Sequence, residues 1–220
     1  MIAAMMVLGA TSAFAGDSDA LKAVLKAKTY ADAKAMVEQN LGSMANDAEK
    51  AKAYNYLVEL SMKQFNDQQS IIQMNQITKK NDPVDMEAMN EGAYNALVAA
   101  QECYKYDQLP NAKGKIAPKY GNNAERVWNA RIQLVSAGDD ARTKNAWFNS
   151  ESSPLFNKIP AEKKAEPYKE QVAFLGAWLS KENKDMAQAL KYCDVAMNSD
   201  EYKKQALNIK LEVLKGDLKT

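Results

Sequence analysis

The chain contains no histidine. That absence removes Ser-His-Asp and Cys-His nucleophile systems, most catalytic zinc sites and every imidazole general base. Carboxylates, thiols, tyrosines and lysines remain as the groups that could do chemistry. The acids gather at Asp82 and Asp85, at Asp139-Asp140 and at Glu151. Two carboxyl groups flanking a glycosidic bond can hydrolyse it without histidine. Each of these acids stands beside a turn or a helix start, where negative charge stabilises the helix dipole, so capping is their expected work. They also lack the alternating oxygen-ligand spacing of a calcium loop. Cys103 and Cys193 lie in helical patterns among Ala, Tyr and Leu and read as buried free thiols, though an oxidising compartment would allow them to pair. The methionines fall mostly on apolar stripes and read as core filling. There is no Gly-rich phosphate loop and no Cys-x-x-Cys. No cofactor or metal is implied, and an enzyme is not expected.

Surface features are more informative. Residues 104–120 carry Tyr104, Tyr106 and Tyr120 together with Lys113, Lys115 and Lys119. Tyrosine supplies rigid amphipathic area and lysine a mobile positive charge, a combination that suits an acidic protein or a glycan. The plainer reading is a solvated connection whose tyrosines pack inward. A second set is Asn55, Asn95 and Asn129, each preceded by an aromatic residue, with Glu59 and Gln101 on the same helices. These would line the concave face of stacked helices, or else hold turns and pair with backbone in the interior. Trp128 and Trp178 are further aromatic candidates for a small ligand or glycan.

Helices must position all of these. Glycine and proline number only nine and six, and Ala, Lys, Glu, Gln, Leu and Met fill long periodic stretches. The spacing predicts helices over residues 18–28 and 30–41, then a longer one capped by Asn46 or Asp47. Asn66-Asp67 either turns that helix into a hairpin or lies inside it, and its apolar stripe resumes at Ile71, Ile72, Met74 and Ile77. Asp82-Pro83 reads as the start of a helix reaching residue 106. Residues 107–123 form the longest loop. Helices follow over 123–137, 161–181, 186–198 and 201–215, with a compressed segment around Trp147 and a loop over 150–160.

The phrase Ala53-Tyr54-Asn55-Tyr56-Leu57-Val58 returns forty residues later as Ala93-Tyr94-Asn95-Ala96-Leu97-Val98, and Trp128-Asn129 follows as a weaker copy. Self-similarity at this period points to stacked helical hairpins. In the C-terminal hairpin, Leu175-Gly176 and Leu179 precede Ala189, Cys193 and Ala196. This pattern resembles a tetratricopeptide repeat, in which small residues let two antiparallel helices approach. It departs from the motif where Cys193 replaces an aromatic and no proline follows Asp200.

The first fifteen residues are uncharged, apolar through Ile2, Met5, Met6, Val7 and Leu8, and end on Ala13-Phe14-Ala15. This reads as a signal peptide cut after Ala15, although no basic residue precedes the apolar run. It is shorter than the roughly 20 apolar residues that span a bilayer. Residues 16–220 are then one exported domain, periplasmic or secreted, with no transmembrane segment.

Taken together, the chain resembles the secreted tetratricopeptide-like proteins of Bacteroidetes. The resemblance implies an all-α fold of antiparallel helical hairpins stacked as a short α-solenoid. It also implies a non-catalytic scaffold or assembly factor that binds another exported or outer-membrane protein. The alternative is an accessory protein that binds a glycan or small ligand. A net charge of +1 argues against nucleic acid as the partner.

Overall fold

The computed structural model describes residues 16–111, 113–136, 141–164 and 168–217. The expected leader, residues 1–15, and the Asp139-Asp140 pair lie outside the described residues. Among the described residues the chain is all-helical and contains no strand. Its helices are α1 (Asp19–Lys26), α2 (Tyr30–Asn40), α3 (Asp47–Thr78), α4 (Met86–Asp107) and α5 (Asn123–Arg126). They continue as α6 (Trp128–Ser136), α7 (Ala141–Ser150), α8 (Tyr168–Glu182), α9 (Met186–Ala196) and α10 (Asp200–Asp217). No helix among the described residues is long and apolar enough to cross a membrane.

Short polar side chains start these helices. Ser18 Oγ accepts the Leu21 amide at 3.2 Å and Asn46 Oδ1 the Glu49 amide at 3.0 Å. Asp85 accepts the Ala88 amide at 2.8 Å, and Asp185 that of Gln188 at 3.1 Å. Each satisfies an amide that a helix start leaves without an intrahelical partner. The helix after the break therefore begins at Met86, later than Asp82-Pro83 predicts. Asp82 is held instead by Asn75, whose amide group donates to its carbonyl and accepts from its N–H, both at 2.8 Å. The chain leaves α3 through Lys79 in the left-handed conformation, φ 55°.

Helices α3 and α4 form the largest hairpin, and they run antiparallel. The start of α3 meets the end of α4 where Cys103 Sγ donates to the Ala51 carbonyl at 3.3 Å. Further along, Gln64 Nε2 donates to the Ala88 carbonyl at 2.8 Å. At Gly92 the two backbones nearly touch: a Cβ there would stand 3.0 Å from the Phe65 nitrogen and the Ser61 carbonyl. Only glycine permits that approach without displacement. Val58, Phe65, Ala93 and Leu97 are at most 2% exposed along this seam. Burying a side chain the size of Val, Leu or Phe contributes about 1.5–3 kcal/mol.

Two expectations change here. Asn66-Asp67 makes no turn, because α3 runs unbroken through it for 32 residues. No residue of α3 beyond Phe65 is buried; Met74 and Ile77 are 52% and 76% exposed, and of that stretch Ile72 packs against the core. The forty-residue similarity also has a different meaning. Tyr54-Asn55 lies on α3 and Tyr94-Asn95 on α4, the two antiparallel members of one hairpin. A helix of 32 residues with its connection fills the whole interval, so these copies are not equivalent positions in successive hairpins.

The expected helix over 123–137 is divided at Val127 into α5 and α6. Lys144 of α7, 1% exposed, donates to the Leu134 and Val135 carbonyls at 2.8 and 3.0 Å and so covers the C-terminal end of α6. The segment around Trp147 is a full helix, α7, and the loop after it contains a 3-10 turn at Pro154–Phe156. Residues Ala161–Lys164 form another 3-10 turn in place of the expected helix start, and α8 is described over Tyr168–Glu182. A second apolar cluster fills α8, α9 and α10, with Ala173, Ala177, Ala189, Cys193, Ala196 and Ala206 all fully buried. Phe148 packs against both clusters and meets the Tyr192 ring edge-on at 5.2 Å. Cys103 and Cys193 are both buried and free.

Candidate functional site

The loop between α4 and α5 closes onto Asp107, the last residue of α4. The Asp107 carboxylate, 9% exposed, accepts the Lys119 amide at 2.9 and 3.1 Å and the Tyr120 amide at 2.9 Å. A carboxylate accepting backbone amides makes charge-assisted bonds, the stronger kind. Midway, Asn111 Oδ1 accepts the Lys113 and Lys115 amides at 2.9 and 3.1 Å, while its own N–H donates to the Lys115 carbonyl at 2.9 Å. Gly114 turns the chain at φ +70°, a conformation that suits glycine.

The pinned loop stands away from the start of α3 and leaves a cleft of about 620 Å³ between them. Asn46, Asp47 and Lys50 form the α3 wall, while Tyr106, Lys115 and Tyr120 form part of the opposite one. Tyr106 stacks on Tyr54, with ring centroids 5.7 Å apart and planes 9° from parallel. Lys50 Nζ lies 5.4 Å from the Tyr106 ring centroid and bonds Asp47 at 2.8 Å. Lys115 and Lys119 also line the cleft and are exposed. Asp107 is occupied by the two amides and Asp47 by Lys50, which leaves Lys115 and Lys119 as the lysines of the lining without an ion pair among the described residues.

The predicted residues divide sharply. Tyr106, Lys115, Lys119 and Tyr120 come together in this cleft. Lys113 is exposed on the same loop, and Tyr104 turns inward to pack against the first apolar cluster. Burial pushes the Tyr120 phenol upward, and the nearby Cys103 and Asp107 act in the same direction. Asn55 and Asn95 are each only 7% exposed. Asn55 donates to Glu59 at 2.9 Å and accepts from Asn123 and Arg126 at 3.2 and 3.4 Å; Asn95 donates to Glu91 at 3.4 Å. Their amide groups are spent on interior pairing. Asn129 is exposed and lines a smaller hollow with Met62, Phe65 and Arg126. The three asparagines form no common face.

The contribution of Asn46, Asp47 and Lys50 to the site was not visible in the sequence. The capping role of Asn46 or Asp47 was legible, but a segment sixty residues away supplies the other wall. A second pocket, of about 200 Å³, is likewise assembled from distant parts: Trp128, Arg131, Trp147, Glu151, Phe156 and Tyr168 take part in it. The Arg131 guanidinium lies 4.2, 5.0 and 5.1 Å from the Trp147, Phe156 and Trp128 ring centroids. It bonds Ser150 Oγ at 2.8 Å and pairs with Glu151. Burial lowers its pKa and Glu151 opposes that shift. The buried Trp147 indole N–H has no acceptor among the described residues. Trp178, by contrast, is 43% exposed on α8.

Of the acids singled out in the sequence, Asp85 caps α4 as expected, while Glu151 pairs with Arg131 and caps no helix, and Asp82 is bonded through its backbone to Asn75. Among the described residues no group of three or more His, Cys, Asp or Glu side chains could hold a metal ion. Comparison with protein-family models, with curated proteins and with solved structures finds no match to this chain.

Proposed function

We propose that the chain is a non-catalytic interaction protein of the cell envelope, a scaffold or assembly factor. It holds an acidic segment of another exported or outer-membrane protein in the cleft between the 108–122 loop and the start of α3. The leader-like residues 1–15 support export, with a periplasmic or secreted destination. The tetratricopeptide-like arrangement of hairpins is part of the same proposal. Its support is the close packing of α8 on α9, where Gly176 faces the Tyr192 ring and Ala189, Cys193 and Ala196 are fully buried.

The cleft carries the functional reading. Its volume falls within the range of about 300–1,000 Å³ typical of binding pockets. Its floor is rigid because Asp107 and Asn111 fasten the loop by backbone bonds, so little ordering is lost on binding. Tyr106 and Tyr120 offer flat amphipathic area, and Lys115 and Lys119 offer positive charge. Exposed lysines steer an acidic partner and make the encounter salt-dependent. Amine-reactive cross-linking in intact cells, followed by mass spectrometry, tests this. One exported protein should be joined reproducibly through residues 113–119. A Lys113→Ala, Lys115→Ala, Lys119→Ala chain that retained the same partner in a direct binding assay would remove the cleft from the account.

A second reading, a small ligand or glycan, draws on the pocket around Trp128. Its support is that Trp128, Phe156 and Tyr168 line this pocket together with Trp147, whose indole N–H has no acceptor among the described residues, an unpaired buried donor costing about 1–3 kcal/mol. Tryptophan fluorescence that moved with an oligosaccharide series, and not with envelope proteins, would place this reading first.

A further inference from the structure

Helix α8 has α9 as its hairpin partner, but α10 follows with no second helix of its own among the described residues. One face of α10 is committed: Ala206, Ile209 and Val213 are at most 8% exposed and pack into the α8–α9 cluster. A different face carries Leu207, Leu211 and Leu214, exposed by 45%, 44% and 42%. Three leucines in line on one helix are a continuous apolar strip, unlike a single exposed leucine.

Their spacing of four and then three residues is that of a helix–helix seam. At 3.6 residues per turn the three span about 60° of arc, narrower than the roughly 100° apolar face of a helix that lies on a broad surface. Lysines border the strip on both sides, Lys203 and Lys210 along one edge and Lys204 and Lys215 along the other. The acidic Glu212 lies away from it and bonds Lys181 of α8 at 2.8 Å. Lys210 reaches Asp194 of α9 at 2.5 Å, which leaves Lys203, Lys204 and Lys215 as the charges flanking the leucines, with Asp200 in line with them at the start of the helix.

From this geometry we propose that the outer face of α10 is a docking site for one amphipathic helix of a partner protein. That helix carries a leucine-type seam flanked by acidic residues, and it packs along α10 as α9 packs along α8. A second copy of this chain would set lysine against lysine along both rims, where like charges repel. A bilayer would find an apolar face too narrow to bury. The site is separate from the cleft and does not depend on it.

The test uses the full chain and a labelled helical peptide with leucines at the seam positions and glutamates on both flanks. A matched peptide with lysines on the flanks serves as control. The acidic peptide should bind at least tenfold more tightly than the basic one. Binding should fall at least tenfold in Leu207→Ser, Leu211→Ser, Leu214→Ser, whose helical circular dichroism should be unchanged. It should fall at least fivefold in Lys203→Gln, Lys204→Gln, Lys215→Gln, and stay as it was in Lys113→Ala, Lys115→Ala, Lys119→Ala. Equal binding of both peptides, or loss of binding in the loop variant alone, would overturn the proposal. So would a chain that dimerised, or that sedimented with phosphatidylglycerol vesicles, through the same leucines.

Discussion

Asp107 holds Tyr120 by its backbone: the carboxylate of one accepts the amide of the other at 2.9 Å, across a thirteen-residue excursion of the chain. The same carboxylate takes the Lys119 amide, so one side chain closes the loop and brings Lys119 and Tyr120 to the cleft. Asp107→Ala should leave two amides without their acceptor and cost about 1–3 kcal/mol. Hydrogen exchange at the Lys119 and Tyr120 amides should accelerate and proteolysis within 108–122 increase. Unchanged exchange at both amides would mean that the loop is held by something else.

Gly176 is a packing requirement of the second cluster. A Cβ there would lie 2.9 and 3.0 Å from Tyr192 Cε2 and Cδ2. That ring cannot easily yield, because Phe148 meets it edge-on and its hydroxyl donates to Asn145 at 3.1 Å. Gly176→Ala gains about 1 kcal/mol of helix propensity but should lose more through overpacking, which typically costs about 1–3 kcal/mol. Denaturant unfolding should register a net loss, and Tyr192→Leu in the same chain should remove it. A Gly176→Ala protein as stable as the parent contradicts this packing.

Glu49 joins the start of α1 to α3. Its carboxylate accepts the Ser18 amide and hydroxyl at 2.7 and 2.6 Å and the Ala45 amide at 2.8 Å. Burial alone would raise its pKa, but these hydrogen bonds outweigh burial and hold it below the ordinary value. The stabilisation is therefore complete above the ordinary glutamate value of about 4.3 and lost as pH falls below it. Glu49→Gln should destabilise the chain at neutral pH by about 1–3 kcal/mol and flatten the acid side of its stability profile. An acid profile identical to the parent's would rule out this anchoring.

Cys103 should be chemically silent. Burial foremost, and the negative charge of Asp107 after it, push its thiol up to about 12. Maleimide at pH 8 should leave it unlabelled in the native chain and modify it in denaturant, since the thiolate is the reactive form. Because the folded state favours the protonated thiol, its contribution is full below about 8.5, the ordinary cysteine value, and declines as pH climbs toward about 12. Rapid native labelling would refute the burial on which this rests.

Helix content and several caps were legible in the sequence because they depend on neighbours within four residues. Asn46 as a cap and the interruption around Asp82-Pro83 are examples. Burial was less legible. Ile71, Met74 and Ile77 have helical spacing, yet their part of α3 extends past the core. The recurrence of Tyr-Asn was real in sequence but ambiguous in space, because one long helix can fill the interval expected of a whole hairpin. Asn55 is held inward by Asn123 and Arg126 of α5, which no local pattern reports, whereas the bond of Asn95 to Glu91 lies within α4. The tyrosine–lysine loop could be read as a candidate from composition alone; its opposite wall, Asn46 to Lys50, depends on α3 meeting α4 end to start.

The most direct test places a photo-cross-linking residue at Ala117, which lines the cleft and is exposed, and a control at Ile77 on the far end of α3. Irradiation of intact cells should join the Ala117 derivative to one exported or outer-membrane protein through an acidic segment. That product should disappear when Lys113, Lys115 and Lys119 are replaced by alanine. An identical product from Ile77, or one that survives the lysine replacements, would contradict binding in the cleft.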